Sequence, residues 1–213
     1  MGQVLAVDQD RPAEDVLARA TEVLCGEGVL VMPTDSVYGI GCAATPGNPA
    51  RARVFQIKER PHDMTLPWLV ADVDDLDRYG ADVPAYAREL ASAFWPGALT
   101  LVVRASGLVP AEYQRQDTRT IALRLPGSQL VRALVRLVGA PLATTSANTH
   151  GSAAATSGAS VEQRLVREAD LTLDAGPAPI AVASTIVDCT ASEPKILREG
   201  ALASQQIIDV VMR

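Results

Sequence analysis

The chain has 213 residues, enough to bury a substantial core within one domain. Apolar residues make up 48% and charged residues 21%, with 15 Gly and 14 Pro spread along the chain, a globular composition that excludes the disordered and fibrous classes. The formal net charge of −6 disfavours a broad polyanion-binding surface, since non-specific nucleic-acid affinity rests on clustered Lys and Arg, and leaves room for a small basic pocket.

Between positions 12 and 25 the residues Ala13, Val16, Leu17, Ala20, Val23 and Leu24 recur at helical spacing, which predicts an amphipathic helix capped by Asp10 and stopped at Gly26. The apolar run 28–33 (GVLVMP) predicts a buried strand that delivers the loop Pro33-Thr34-Asp35. A helix is expected over 51–58, a strand over 66–71, a helix over 83–94, a turn at Trp95-Pro96-Gly97, and strands over 99–104 and 120–125. A helix over 128–138 and a strand over 141–144 come next, then a loop of small residues over 145–160 and a helix over 161–168. Strands near 171–174, 184–188 and 195–198 and a helix from Ser204 complete the pattern. About seven strands mixed with five or six helices predict one α/β domain with a mixed sheet, with no repeat and no linker-like boundary.

Several chemistries are excluded. No apolar run approaches the roughly 20 residues that span a bilayer, and MGQVLAVDQD lacks the features of a signal peptide, so a cytoplasmic protein without membrane contact is expected. Cys25, Cys42 and Cys189 cannot all pair and show no CxxC spacing, which predicts buried reduced thiols and no zinc site. There is no GxxxxGK[ST], GxGxxG after a strand, GxSxG or HExxH. With His62 and His150 as the only histidines, a histidine-based triad or a His-rich metal site has no basis. No covalent nucleophile stands out. Basic and hydroxyl residues on loops at strand ends remain, as expected of an enzyme that works by positioning and charge neutralisation.

Three segments and two arginines carry that pattern. In Pro33-Thr34-Asp35-Ser36-Val37-Tyr38-Gly39-Ile40-Gly41 a strand ends in hydroxyl and carboxylate groups, with glycines that allow close backbone approach. In Lys58-Glu59-Arg60-Pro61 two cations flank a helix end where both could meet a phosphate chain, although the helix dipole alone also favours cations there. In Ala143-Thr144-Thr145-Ser146-Ala147-Asn148-Thr149-His150-Gly151 a strand opens into hydroxyl and amide groups among small residues, the usual place for a ligand in α/β proteins. Alone, the first and third segments are equally polar turns, and the second is more simply a helix end that favours cations. Arg124 in TIALRLP and Arg198 in ILREG sit in apolar strands, where a guanidinium is costly unless it is paired or faces a site.

Taken in order, PTDSVYGIG, the Lys-x-Arg of KERP, FWPGALTLVV, TIALRLP, the Ser-x-Asn of TTSANTHG, STIVD and ILREG resemble the threonylcarbamoyl-AMP synthase family, the YrdC-like proteins, over about 28–200. The resemblance implies a single-domain YrdC-like fold in which a twisted, mostly mixed sheet and flanking helices surround a concave basic cavity, with no additional C-terminal domain. It implies L-threonylcarbamoyladenylate synthesis, in which threonine and bicarbonate give an N-carboxy threonine that attacks the α-phosphate of ATP and releases pyrophosphate. Lys58, Arg60, Thr120, Ser146, Asn148 and Arg198 would bind ATP, with Lys58 and Arg60 acting in catalysis; Thr34, Arg124, Thr144 and Ser184 would hold threonine. Magnesium would come with ATP rather than through protein side chains. The product would pass to a tRNA threonylcarbamoyltransferase, with weak tRNA contact a further implication. Two departures stand out: Thr65 occupies a position where the family usually has proline, and PTDS, HDMTL and ADVDDLDRYG resemble the YciO-like paralogues. A paralogue acting on another substrate, or an RNA-binding module without turnover, are the alternatives.

Overall fold

In the apolar run near residue 30, Val29 and Val31 join one hydrophobic core while Leu30 and Met32 join a second, the alternation of a strand buried on both faces. The structure, a computed structural model, describes residues 2–61 and 64–212, so His62 lies outside the described residues. The elements in order are β1 (Gln3–Ala6), α1 (Glu14–Cys25), β2 (Leu30–Met32), β3 (Gly39–Ala43), α2 (Ala50–Lys58), β4 (Trp68–Leu69) and α3 (Asp75–Tyr79). There follow β5 (Gly80–Ala81), α4 (Ala85–Phe94), β6 (Leu99–Ala105), β7 (Thr120–Arg124), α5 (Gln129–Val138) and β8 (Leu142–Ser146). The chain continues through α6 (Gln163–Glu168), β9 (Leu171–Asp174), β10 (Thr185–Asp188), β11 (Lys195–Arg198) and α7 (Ser204–Val211), with short 3-10 turns at Ala111–Tyr113 and Gly158–Ser160.

All eleven described strands belong to one mixed sheet of order β1-β9-β2-β3-β8-β4-β7-β6-β10-β11, with β5 paired to β6. The pairs β1–β9, β2–β9, β4–β7 and β6–β10 are parallel. The others are antiparallel. Helices α2, α4, α6 and α7 contribute to the core on one face of the sheet. Helices α1 and α5 cover part of the other with Ala20, Leu24, Leu130, Val131, Leu134 and Val135. Helix α5 shows why this layer forms. Ser128 accepts the amide of Val131 as N-cap, Gly139 closes the helix at φ 71°, and an apolar stripe is buried between them. Each such Leu or Val contributes about 1.5–3 kcal/mol by leaving water.

The face under α1 and α5 changes character along the sheet, and that change creates the site. It is apolar at Leu142 and Leu69. Moving across the strands, or two residues along them, the same face turns polar at Thr144, Ser146, Arg124, Thr100 and Ser184.

Several expectations are corrected. The end of the expected polar loop 33–41 instead opens strand β3, where Gly41 lets the chain lie close against β8. Strand β8 runs on to Ser146 instead of stopping at 144, and β4 holds only two residues of the expected 66–71. Helix α1 is entered at Ala13 without a side-chain cap; Asp8, not Asp10, receives the local amides, from Asp10 and Arg11 at 2.9 and 3.0 Å. Helix α2 ends through Glu59 in a left-handed conformation (φ 52°), before Pro61 acts. Cys42 and Cys189 are buried thiols, whereas Cys25 is exposed. No helix among the described residues is long and apolar enough to cross a membrane.

Candidate functional site

A cavity of about 370 Å³ opens on the polar part of this sheet face, walled by the loop after β2, the loop after β8, and the ends of β4, β7, β10 and β11. Three guanidinium groups, Arg60, Arg124 and Arg198, line it together with Thr34, Ser36, Tyr38, Thr144, Ser146, Asn148 and Ser184, and among the described residues no Asp or Glu lines it. A chain of net charge −6 has thus concentrated positive charge at one place.

Arg124 is the deepest of the three. Its Nε donates to the Gly97 carbonyl (2.9 Å), one Nη to Ser36 Oγ (2.7 Å) and the other to Asp35 Oδ1 (2.6 Å). Three of its five N–H groups are therefore committed, and two remain for a ligand. Burial pulls its pKa below the ordinary value and Asp35 opposes that shift. Arg198 donates twice to the Ser184 carbonyl (3.2 and 2.7 Å) and once to Ser184 Oγ (3.3 Å). Its pKa is lowered by burial and by the neighbouring Arg124 charge, so the cavity holds like charges that an anion would relieve. Arg60 donates to Thr145 Oγ1 (3.2 Å) and to the Thr65 carbonyl (3.1 Å), and its buried Nε has no partner among the described residues.

Lys58 behaves differently from the expected phosphate grip. Its side chain is buried (residue exposure 1%), and its ammonium donates to the carbonyls of Ser146 (2.5 Å) and Asn148 (2.6 Å) and more weakly to Asn148 Oδ1 (3.4 Å). Burial first, then Arg60, lowers its pKa to about 8, with Glu162 opposing. Lys58 therefore fastens the loop after β8 from behind, and it is not among the residues lining the cavity. Asn148 likewise spends its amide on the Thr149 and Ser152 carbonyls (2.8 Å each), shaping the loop it belongs to.

Thr34, Ser146, Asn148, Arg60, Arg198, Arg124, Thr144 and Ser184 are brought together by the fold. Thr120 is not. It begins β7 while Arg124 ends it, about 13 Å away at the rise of a strand. Its hydroxyl pairs with Thr118 (3.0 Å) instead.

The Sua5/YciO/YrdC family model, described as telomere recombination, matches residues 22–200. The chain belongs to this family. It is 33% identical over 195 residues to the threonylcarbamoyl-AMP synthase of Bacillus subtilis, covering 92% of this chain and 56% of that protein. Its fold superposes on the crystal structure of Sua5 from Pyrococcus abyssi complexed with L-threonine with a TM-score of 0.90 at 32% identity, covering 97% of this chain and 60% of that one. On the crystal structure of Escherichia coli YciO the TM-score is 0.84 at 28% identity, covering 94% and 96%. The chain thus spans little more than half of the Bacillus relative and nearly the whole of YciO.

Within this member of the Sua5/YciO/YrdC family, two polar cavity residues, Thr100 and Ser152, are not among the candidates the sequence offers. Thr100 lies on β6 across from Arg124, one step beyond the Leu101–Leu123 pair, with its hydroxyl 2.8 Å from Ser184 Oγ. The signal was available, since Thr100 is the one polar residue in the run LTLVV. Ser152 turns in from the loop after β8. No periodicity marks it.

Proposed function

We propose that this chain forms threonylcarbamoyl-AMP and pyrophosphate from L-threonine, bicarbonate and ATP, as a nucleotidyltransferase of the cytoplasm serving threonylcarbamoyladenosine modification of tRNA. The observation that carries the reading is the convergence of Arg60, Arg124 and Arg198 with hydroxyl groups on one cavity that no Asp or Glu lines among the described residues. The reactants are all anionic or carry a carboxylate, so such a cavity favours them together and stabilises charge as the phosphorus is attacked. The relationship to a threonine-bound Sua5 supports threonine as the amino acid.

Arg124, with two uncommitted N–H groups beside Thr34, Thr144 and Ser184, takes the amino-acid carboxylate. Arg60 and Arg198 neutralise the phosphates, and Ser146 contributes a hydroxyl. Lys58 acts on these contacts only through the loop after β8, and Thr120, at the far end of β7 from Arg124, lies outside the cavity lining. Magnesium would come with the ATP phosphates and would neutralise their charge, as no carboxylate lines the cavity among the described residues to hold it. No side chain needs to be a nucleophile, and the buried thiols of Cys42 and Cys189, both pushed up to about 12 by burial, are poor ones. The N-carboxy threonine carboxylate attacks the α-phosphate, the bond to the β-phosphate oxygen breaks, and pyrophosphate leaves. The labile adenylate then passes to a tRNA threonylcarbamoyltransferase, with any tRNA contact weak, given the acidic balance of the chain.

A second reading, a YciO-like enzyme that adenylates another carbamate, draws on the near-complete overlap with YciO. Incubation with labelled bicarbonate, ATP, magnesium and each amino acid in turn, followed by mass spectrometry, separates the two. A labelled adenylate with threonine alone supports the synthase. A labelled adenylate with a different amino acid supports the paralogue, and no adenylate at all refutes both.

A further inference from the structure

The loop after β8 carries Ser146 and Asn148 into the cavity, yet its backbone is held from two sides by groups that do not line the cavity. On one side lies the Lys58 ammonium, which gathers the Ser146 and Asn148 carbonyls. On the other lies Glu162, the residue before α6. Its carboxylate accepts the Thr149 amide at Oε1 (2.8 Å) and the Thr149 hydroxyl at Oε2 (2.5 Å). Arg164 ties this pair to the helix that presents Lys58. It donates to Thr149 Oγ1 (2.9 Å) and to the Ile57 carbonyl (2.6 Å), one residue before Lys58. The His150 amide closes the circuit on the Lys58 carbonyl (2.9 Å).

In the loop Ser146-Ala147-Asn148-Thr149-His150-Gly151-Ser152 Ala147 alone joins the hydrophobic core, so the rest depends on polar contacts to keep one shape, and fixing each residue costs about 1–2 kcal/mol in backbone entropy. Charge-assisted hydrogen bonds are the strong ones, and here an ammonium takes the loop's carbonyls while a carboxylate takes its amide and hydroxyl. The opposite charges also steady each other: Glu162 raises the pKa of Lys58, and Lys58 lowers that of Glu162, whose main cause is the Thr149 bonds.

We propose that Glu162, braced by Arg164, is a positioning residue that sets the shape of the Ser146–Ser152 loop and thereby the affinity of the cavity for nucleotide. The inference rests on the functional reading for its link to ATP, but the loop clamp itself stands on geometry.

The test compares wild type with Glu162→Ala and Glu162→Gln. In Glu162→Ala the Thr149 amide, read by hydrogen exchange, should exchange at least about 10-fold faster, the loss expected for a charge-assisted bond. The Thr144 amide, which donates to the Pro67 carbonyl, should be unchanged. The KM for ATP should rise about 10-fold with kcat and the KM for threonine within about 3-fold, the signature of lost binding rather than lost chemistry. Glu162→Gln, which keeps an oxygen for the Thr149 amide, should restore most of both effects. Unchanged Thr149 protection overturns the clamp. A uniform loss of protection with a lower thermal midpoint also overturns it, since that marks a merely structural residue. If wild type shows no threonine-dependent turnover, the functional reading fails separately, while the exchange result still decides the clamp.

Discussion

Arg124 Nη2 lies 2.6 Å from Asp35 Oδ1, with both side chains closed off from solvent. Such a pair contributes little over an apolar equivalent, but removing one partner strands the other's charge. Asp35→Ala should therefore cost about 3–5 kcal/mol in urea denaturation, whereas Asp35→Asn, which keeps an oxygen for the guanidinium, should cost clearly less. Equal losses in the two variants would show that the charge of Asp35 is not what Arg124 requires.

Arg60 offers a cleaner separation of fold from function. It makes two hydrogen bonds to the protein and leaves its buried Nε unpartnered among the described residues. Arg60→Ala should lower turnover about 10²–10³-fold, the usual loss for a preorganised charge-stabilising donor. Its thermal midpoint should hardly move. Arg60→Lys should not restore activity, because a point charge cannot reach Thr145 and the Thr65 carbonyl at once while facing a phosphate. Turnover within 3-fold of wild type, about the spread of such measurements, would remove Arg60 from the site.

Lys58 carries a pH signature. Its ordinary pKa is 10.5 and burial lowers it to about 8 in the folded chain, with Arg60 adding and Glu162 opposing. Below pH 8 both folded and unfolded chains hold the proton, so the burial cost is fully present. Between 8 and 10.5 the unfolded chain binds more protons, so unfolding free energy rises with pH through this window. Relative to Lys58→Met, wild type should gain on the order of 3 kcal/mol across it in urea denaturation. A difference that stays flat with pH would contradict a depressed Lys58. Turnover moves the other way: as the ammonium loses its charge it holds the Ser146 and Asn148 carbonyls less firmly, so the KM for ATP should climb above about pH 8.

Gly41 is expected to be intolerant for a reason internal to the sheet. A Cβ there would sit 2.4 Å from the Ala143 carbonyl oxygen and 2.6 Å from Thr144 Cγ2. Neither can yield without moving Thr144 at the cavity wall. Gly41→Ala should cost about 1–3 kcal/mol and weaken the site as well. A neutral effect on both stability and turnover would show that β3 and β8 can separate freely.

The sequence reading and the structure agree where one physical signal dominated. The strand over 28–33, the helix over 128–138 and the cost of burying Arg124 all follow from local pattern, and each has its counterpart in β2, α5 and the Asp35 pair. Strand β3 escapes the local pattern because Gly39 and Gly41 both suggest room for a ligand, whereas Gly39 lines the cavity and Gly41 is needed for the close approach of β8. Charge and spacing leave Lys58 open between a helix-end cation and a phosphate contact, and only the family resemblance implies the latter. The direction of Lys58 is set by where the loop after β8 puts its carbonyls, 88 and 90 positions later in the chain, which no local pattern encodes. Glu162 was invisible for the same reason. Thr120 was carried by resemblance to a strand whose other end, at Arg124, reaches the cavity.

The most direct measurement of what this cavity does is pyrophosphate release with ATP, threonine and bicarbonate omitted one at a time in the presence of magnesium. Release with the full set, and none when threonine or bicarbonate is left out, is the expected result. Release from ATP alone, or release indifferent to threonine, would contradict the synthase.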